Sequence, residues 1–132
     1  SSATPIAIRR DPRPPAAEFE ALWLAAWGTQ WTGDLAAIWS RSLAHFGAYE
    51  AARLIGYLNI AWDGGVHAFI LDTSVHPDFQ RRGIATRLVQ AAATEARARG
   101  AEWLHVDYEP HLETFYRGCG FTPTAAGLLR LR

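Results

Sequence analysis

A chain of 132 residues is long enough for one compact domain with a buried core and too short for two, so we expect a single domain over residues 1–132. Thirteen basic and 13 acidic residues give a formal net charge of +0 at pH 7, which provides no general attraction to nucleic acid or to an anionic membrane. With one cysteine, no zinc-like Cys/His spacing, no signal-peptide pattern and no apolar run of membrane-spanning length, we expect a cytoplasmic protein without disulfides or metal.

The first part of the chain predicts one strand followed by two helices. Residues 5–9 alternate apolar and polar side chains, as a half-buried strand does. From Ala16 to Trp27 the apolar side chains recur at helical spacing. Thr32 or Asp34 could cap a second short helix. That helix would carry Leu35, Ile38, Trp39 and Leu43.

Three antiparallel strands are predicted next. The segments 46–49 and 53–62 have strand character and are joined by a tight turn. Asp63-Gly64-Gly65 is a strong hairpin signal that leads into a strand over residues 66–75.

A crossover helix follows these strands. The helical pattern over residues 84–99 joins the strand 66–75 to a further strand over 103–107. A strand, helix, strand connection of this length makes the two strands parallel. The sequence therefore predicts a mixed, mostly antiparallel sheet flanked by helices, an α+β fold.

The end of the chain predicts one more short helix and a terminal hairpin. Pro110 can lie in the first turn of a helix over residues 111–119. The segments 121–123 and 128–131 would be the terminal strands, and the last one could pair with the sheet edge of a second copy in a homodimer.

The segment that leads into the crossover helix has the properties of an anion site. The first turn of a helix has N–H groups without intrahelical partners and the positive end of the helix dipole. Gly83 and Ala85 carry too little side chain to block a phosphate, and Arg81 and Arg82 add positive charge. The glycine spacing is not that of a dinucleotide-binding fold, and no Gly-Lys-Ser/Thr occurs, so a P-loop is excluded.

Two motifs resemble those of the GCN5-related N-acetyltransferase (GNAT) family. Residues 80–85, Gln-Arg-Arg-Gly-Ile-Ala, match its Gln/Arg-x-x-Gly-x-Gly/Ala signature between a strand and a helix. Phe115-Tyr116, followed by Gly120-Phe121, matches its aromatic–tyrosine pair before Gly-Phe. The resemblance covers residues 53–121 and implies a GNAT-like three-layer sandwich.

The resemblance also implies acetyl-CoA, or another acyl-CoA, as the acyl donor, with no metal. Main-chain N–H groups from Arg81 to Thr86 would hold its pyrophosphate, Gln80 would support the loop, and the backbone of Val75 would pair with the pantetheine arm. The implied cofactor-binding residues are Val75, Gln80, Arg81, Arg82, Gly83, Ile84, Ala85 and Thr86.

For the chemistry, the resemblance implies that Tyr116 is the general acid that protonates the leaving thiolate. Asp107 is the leading candidate for the base, with Glu109, Asp72 or a water relay as alternatives, because Phe69 occupies the position at which some members keep a glutamate. The implied activity is direct transfer of an acetyl group to a primary amine, on a small molecule or a peptide, in a ternary complex. The alternative is a non-catalytic acyl-CoA-binding or regulatory module.

Four tryptophans fall where this family builds its acceptor wall: Trp23, Trp27, Trp31 and Trp39. Tryptophans on amphipathic helices are first of all core residues. If one or two of them line the acceptor pocket, an aromatic or otherwise apolar amine is favoured over a polyanion or an aminoglycoside.

Overall fold

A computed structural model describes residues 4–132. Its strands are β1 (Ile6–Arg10), β2 (Ser42–Glu50), β3 (Arg53–Trp62), β4 (His67–Val75) and β5 (Trp103–Val106). Its α-helices are α1 (Ala16–Trp27), α2 (Leu35–Arg41), α3 (Ile84–Arg99) and α4 (Glu113–Gly118). The strands form one sheet in the order β1-β2-β3-β4-β5, antiparallel except for the predicted parallel pair β4–β5. The α+β fold is therefore confirmed.

Both faces of the central strands are buried, which makes the molecule a three-layer sandwich. On one face α3 packs against β2 and β3, and its Leu88 and Ala92 are fully buried among residues such as Ile55 and Leu58. On the other face α1 places Phe19 against Tyr57 of β3. Burial on both sides explains why β2 and β3 are apolar almost throughout rather than alternating. Within residues 4–132, no helix combines the length and the hydropathy needed to cross a bilayer.

The beginning of β2 differs from the prediction. We expected Leu43 in the second helix and a strand only over 46–49, whereas β2 begins at Ser42. The Ser42 hydroxyl donates to the Ile38 carbonyl at 2.8 Å, and from Ser42 onward the backbone pairs with β3. Sheet pairing thus overrides the local helical pattern.

The two terminal strands that we predicted at 121–123 and 128–131 are wrong. The segment after α4 forms no strand, and Leu128, Leu129 and Leu131 are 93%, 84% and 85% exposed. A strand needs a partner for its backbone groups, and β5 pairs with β4 alone among the described residues. The prediction of a homodimer through this segment stays untested.

The sheet opens between its two parallel strands. Pairing of β4 with β5 ends at Ile70–Val106, while β4 continues to Val75. On its other edge β4 has a β-bulge: Asn59 pairs with Leu71 and Tyr57 with Ser74, so Asp72 and Thr73 both lie opposite one residue of β3. Asp72 has a φ of 59°, in the left-handed region. The bulge and the end of the β4–β5 pairing thus lie together, where β4 and β5 separate.

Candidate active site

A cavity of about 1250 Å³ lies at this opening. Its walls come from the end of β4, the segment that leads into α3, the segment from β5 into α4, and α1. In a sheet with parallel strands, a ligand site at the carboxyl ends of those strands is the general expectation. Apart from Arg82, the cofactor-binding and catalytic residues predicted from the sequence all line this cavity.

The loop over residues 80–86, here called the phosphate loop, holds its backbone in an unusual conformation. A 3₁₀ turn over Pro77–Phe79 leads into it, and the ring of Phe79 is buried. Arg81 and Gly83 have φ values of 64° and 74°. Alternation of left-handed residues with ordinary ones turns successive N–H groups toward one side, as in an anion-binding nest.

In the phosphate loop, the Gln80 N–H donates to the Pro77 carbonyl, whereas the N–H groups that follow have no partner in the described part of the chain. Within residues 4–132, none of the main-chain N–H groups of residues 81–86 donates a hydrogen bond, and Gly83 offers no side-chain cap to α3. Groups of this kind, at the positive end of a 16-residue helix, attract an anion. The loop thus offers consecutive donors to a phosphate.

The cofactor-binding residues predicted from the sequence divide into two groups. Among the predicted cofactor-binding residues, those whose atoms line the cavity are Val75, Gln80, Arg81, Gly83, Ile84, Ala85 and Thr86. The exception is Arg82, whose guanidinium lies 4.9 Å from the centre of the Phe79 ring and is not part of the lining. A cation over an aromatic ring is a stabilising contact. Of these two arginines, Arg81 therefore contributes to the cavity wall and Arg82 does not.

Tyr116 is the buried tyrosine of α4, with 5% of its surface exposed. Its ring stacks on Tyr108 at 4.8 Å and meets Phe115 and Phe121 edge to face at 4.9 and 5.7 Å. Burial raises the pKa of Tyr116, and the nearby Thr73 hydroxyl opposes that rise without reaching hydrogen-bond geometry. The phenol therefore keeps its proton at neutral pH, as a general acid requires.

Three carboxylates line the cavity, and they differ in burial. Asp107 and Glu109 are exposed, whereas Asp72 is half-buried at the bulge of β4. Burial raises the pKa of Asp72, which brings this carboxyl group closer to the range of a general base. From the sequence, Asp107 is a stronger candidate for the base than Asp72, because no sequence pattern shows that a strand residue will be shielded from solvent at a bulge.

The aromatic wall is smaller than the sequence suggested. Trp23 and Trp27 line the cavity. Trp31 instead packs edge to face against Phe19 and Trp23, at 5.0 and 4.7 Å. Trp39 stacks on His45 at 4.1 Å and is absent from the lining. Trp31 and Trp39 are thus partly buried side chains that pack against the core of the α1 face.

Sequence reasoning missed one polar connection behind this wall. The indole N–H of Trp27 donates to the Ser74 hydroxyl at 2.8 Å, and Ser74 donates to the backbone carbonyl of Asp72 at 2.9 Å. Nothing in the sequence pairs a helix residue with a strand residue 47 positions away.

No group of three or more His, Cys, Asp or Glu side chains in the described part of the chain is arranged to hold a metal ion.

Comparison with known proteins agrees with this geometry. The family described as Acetyltransferase (GNAT) family matches residues 9–121, and the chain belongs to that family. The mycothiol acetyltransferase of Mycobacterium ulcerans (strain Agy99) is 39% identical over 69 residues, which are 52% of this chain and 21% of that protein. The chain therefore spans about a fifth of the length of that relative.

Solved structures share the fold across nearly the whole chain. An acetyltransferase from Trypanosoma brucei superposes with a TM-score of 0.80 at 16% identity, covering 97% of this chain and 99% of the other. The aminoglycoside N-acetyltransferase AAC(6')-Iy, solved in complex with CoA, gives a TM-score of 0.77 at 19% identity, covering 99% and 97%. At these identities the likeness concerns the fold.

Proposed function

We propose that the protein is an acetyl-CoA-dependent N-acetyltransferase that passes the acetyl group directly to a primary amine in a ternary complex. One juxtaposition carries the proposal. The unpaired N–H groups of the phosphate loop and the buried phenol of Tyr116 open into the same cavity. The first can hold the diphosphate of a coenzyme A donor, and the second can protonate a thiolate.

The donor would lie along the opened edge of β4. The N–H groups of residues 81–86 and the side chains of Arg81 and Thr86 would hold the pyrophosphate. Beyond Ile70 the backbone of β4 is not paired to β5, so the strand toward Val75 offers N–H and C=O groups to the pantetheine arm. Acetyl-CoA, when bound, supplies a thioester whose carbonyl carbon is the electrophile.

The chain's own residues would then move two protons. A carboxylate of the cavity, Asp107 or Asp72, takes one proton from the substrate ammonium, directly or through water, and the free amine forms the new C–N bond. As the C–S bond breaks, Tyr116 gives its proton to the sulfur and recovers one from the new amide nitrogen. The balanced products are the acetamide, the free thiol and one proton.

A calorimetric titration with acetyl-CoA and a thiol-release assay over a panel of amines test this function. We expect binding, turnover, and a loss of kcat of roughly 10²-fold in Tyr116→Phe with little change in acetyl-CoA affinity. Tyr49→Phe is the matched control, since Tyr49 is equally buried but packs in the core of the α1 face.

The alternative activity gives a different result in the same two measurements. Acetyl-CoA binding without turnover of any amine would identify a non-catalytic acyl-CoA-binding module. Failure of the intact protein to bind acetyl-CoA would refute both functions.

A further inference from the structure

We infer that the cavity selects a primary amine carried on a flat apolar body by a short linker, such as an arylalkylamine, and rejects amines that carry phosphate or carboxylate. This inference rests on the proposed function and names its acceptor class. It concerns the part of the cavity lined by Trp23, Trp27, Asp72, Asp107 and Glu109, called here the acceptor end.

Trp27 is a prearranged apolar surface. It is the last residue of α1, and 52% of its surface is exposed although its indole nitrogen is hydrogen-bonded. Because Ser74 occupies the one polar group of the side chain, the indole can offer a ligand only its apolar ring. Trp23 extends this surface, with ring centres 5.4 Å apart and planes inclined by 34°. A fixed aromatic surface binds a flat ligand with little ordering cost.

The formally charged side chains at the acceptor end are all acidic. They are Asp72, Asp107 and Glu109; the lining also contains the imidazole of His111, and its arginine, Arg81, belongs to the phosphate loop. Carboxylates that share a cleft attract an ammonium group and repel an anion. An amine that also carries phosphate or carboxylate would meet this repulsion where it binds.

A short hydrogen-bond chain connects Trp27, on which the ring of the ligand would stack, to Asp72, at which its ammonium group would bind. Trp27 is joined to Asp72 through a single serine, Ser74, by bonds of 2.8 and 2.9 Å. The second bond ends on the backbone carbonyl of Asp72, so Trp27 and Asp72 are neighbouring residues in the cavity wall. A ligand that stacks on Trp27 and places its ammonium at Asp72 needs only a short linker between ring and nitrogen.

The thiol-release assay on four amines tests this selectivity. The panel is 2-phenylethylamine, phenylalanine, ethylamine and phosphoethanolamine, so that ring and anion are varied separately. We expect kcat/KM for 2-phenylethylamine to exceed that for each of the others by roughly tenfold or more. Trp27→Leu should remove roughly tenfold of that advantage while acetyl-CoA affinity is unchanged. Trp103→Leu is the control, because Trp103 is 63% exposed on β5 and lies outside the cavity lining.

The outcomes separate this inference from the proposed function. Turnover that is as fast with ethylamine or phosphoethanolamine, or that is indifferent to Trp27→Leu, overturns the inference and leaves the acetyltransferase standing. Absence of acetyl-CoA binding overturns both. If acetyl-CoA binds and no amine turns over, tryptophan fluorescence of the CoA-loaded protein decides: tighter binding of 2-phenylethylamine than of ethylamine, weakened by Trp27→Leu, supports the inference, and equal binding rejects it.

Discussion

Trp27 at the end of α1 donates its indole N–H to the hydroxyl of Ser74 in β4, at 2.8 Å. Ser74 is 3% exposed, and its hydroxyl donates a hydrogen bond to the backbone carbonyl of Asp72, the bulge residue with a φ of 59°. A non-glycine residue in this region costs free energy and persists where its surroundings hold it. One helix thus supports the conformation that places the half-buried carboxylate in the cavity.

Removing the hydroxyl between them should weaken both the fold and the site. Ser74→Ala deletes the acceptor of Trp27 and the donor to Asp72, and we expect a loss of about 1–2 kcal/mol in the free energy of unfolding, measured by urea denaturation. Trp27→Phe removes the indole N–H together with part of the ring surface and should cost about 1 kcal/mol or more. Because the two changes delete the same hydrogen bond, they should be non-additive in a double-mutant cycle. Ser40→Ala, at an exposed hydroxyl of α2, is the control. Additive losses would show that Trp27 and Ser74 are not coupled.

Asp72→Asn should separate stability from activity. Because burial raises the pKa of Asp72, the folded protein binds this proton more tightly than the unfolded chain, so stability is lost as pH rises through the folded pKa. Asparagine carries no charge and tolerates the left-handed conformation. We therefore expect the urea midpoint of Asp72→Asn at pH 7 to equal or exceed that of the wild type, with the advantage vanishing below about pH 4.

The same variant identifies the base. If Asp72 takes the proton, kcat/KM should fall roughly 10²-fold and its acidic limb should disappear from the pH profile. Asp107→Asn is the paired variant, at the carboxylate favoured by the sequence. A large loss in Asp107→Asn with an intact Asp72→Asn would assign the base to Asp107 instead.

What the sequence could predict is what depends on neighbours along the chain. The hairpin signal at residues 63–65, the helix over 84–99 and the glycine at position 83 each rest on local backbone preferences, and the structure has all three. These local signals also define the phosphate loop, because it is the junction between one strand and one helix.

What depends on contacts between distant segments could not be predicted. The bulge at Asp72 has no sequence signature, since the residue that supports it, Trp27, lies on another layer of the sandwich. Residues 128–131, Leu-Leu-Arg-Leu, are mostly apolar and were predicted as a strand, but none of the described strands pairs with them. Local sequence indicates what a segment can form, and pairing decides what it does form.

The two adjacent arginines of the phosphate loop should differ in their effect on acetyl-CoA binding. Arg81 lines the cavity, whereas the guanidinium of Arg82 lies over the ring of Phe79. We expect Arg81→Gln to weaken acetyl-CoA roughly tenfold in calorimetry, with reduced sensitivity to salt, because a phosphate contact is lost. Arg82→Gln should change the affinity less than Arg81→Gln. Equal losses would mean that both arginines reach the phosphates.

His45 should make the fold sensitive to acid. Its side chain is 2% exposed, its Nε2 hydrogen-bonds the Pro12 carbonyl, and its Nδ1 lies 3.3 Å from Asp11 without hydrogen-bond geometry. Burial lowers the pKa of His45, although the Pro12 carbonyl and the Asp11 carboxylate both oppose that shift. The unfolded chain therefore binds this proton more readily than the folded protein, and the stability that depends on neutral His45 is lost as pH falls below about 6.5.

Urea unfolding at pH 7.5 and 5.5 measures that loss. We expect the urea midpoint of the wild type to be lower at pH 5.5 than at pH 7.5. His45→Gln should be less stable than the wild type at pH 7.5 but should show a smaller change between the two pH values. His111→Gln, which removes an exposed imidazole without touching the core, should keep the pH dependence of the wild type. If the midpoint of His45→Gln falls as steeply with pH as that of the wild type, the acid sensitivity comes from another group, because this variant lacks the buried imidazole.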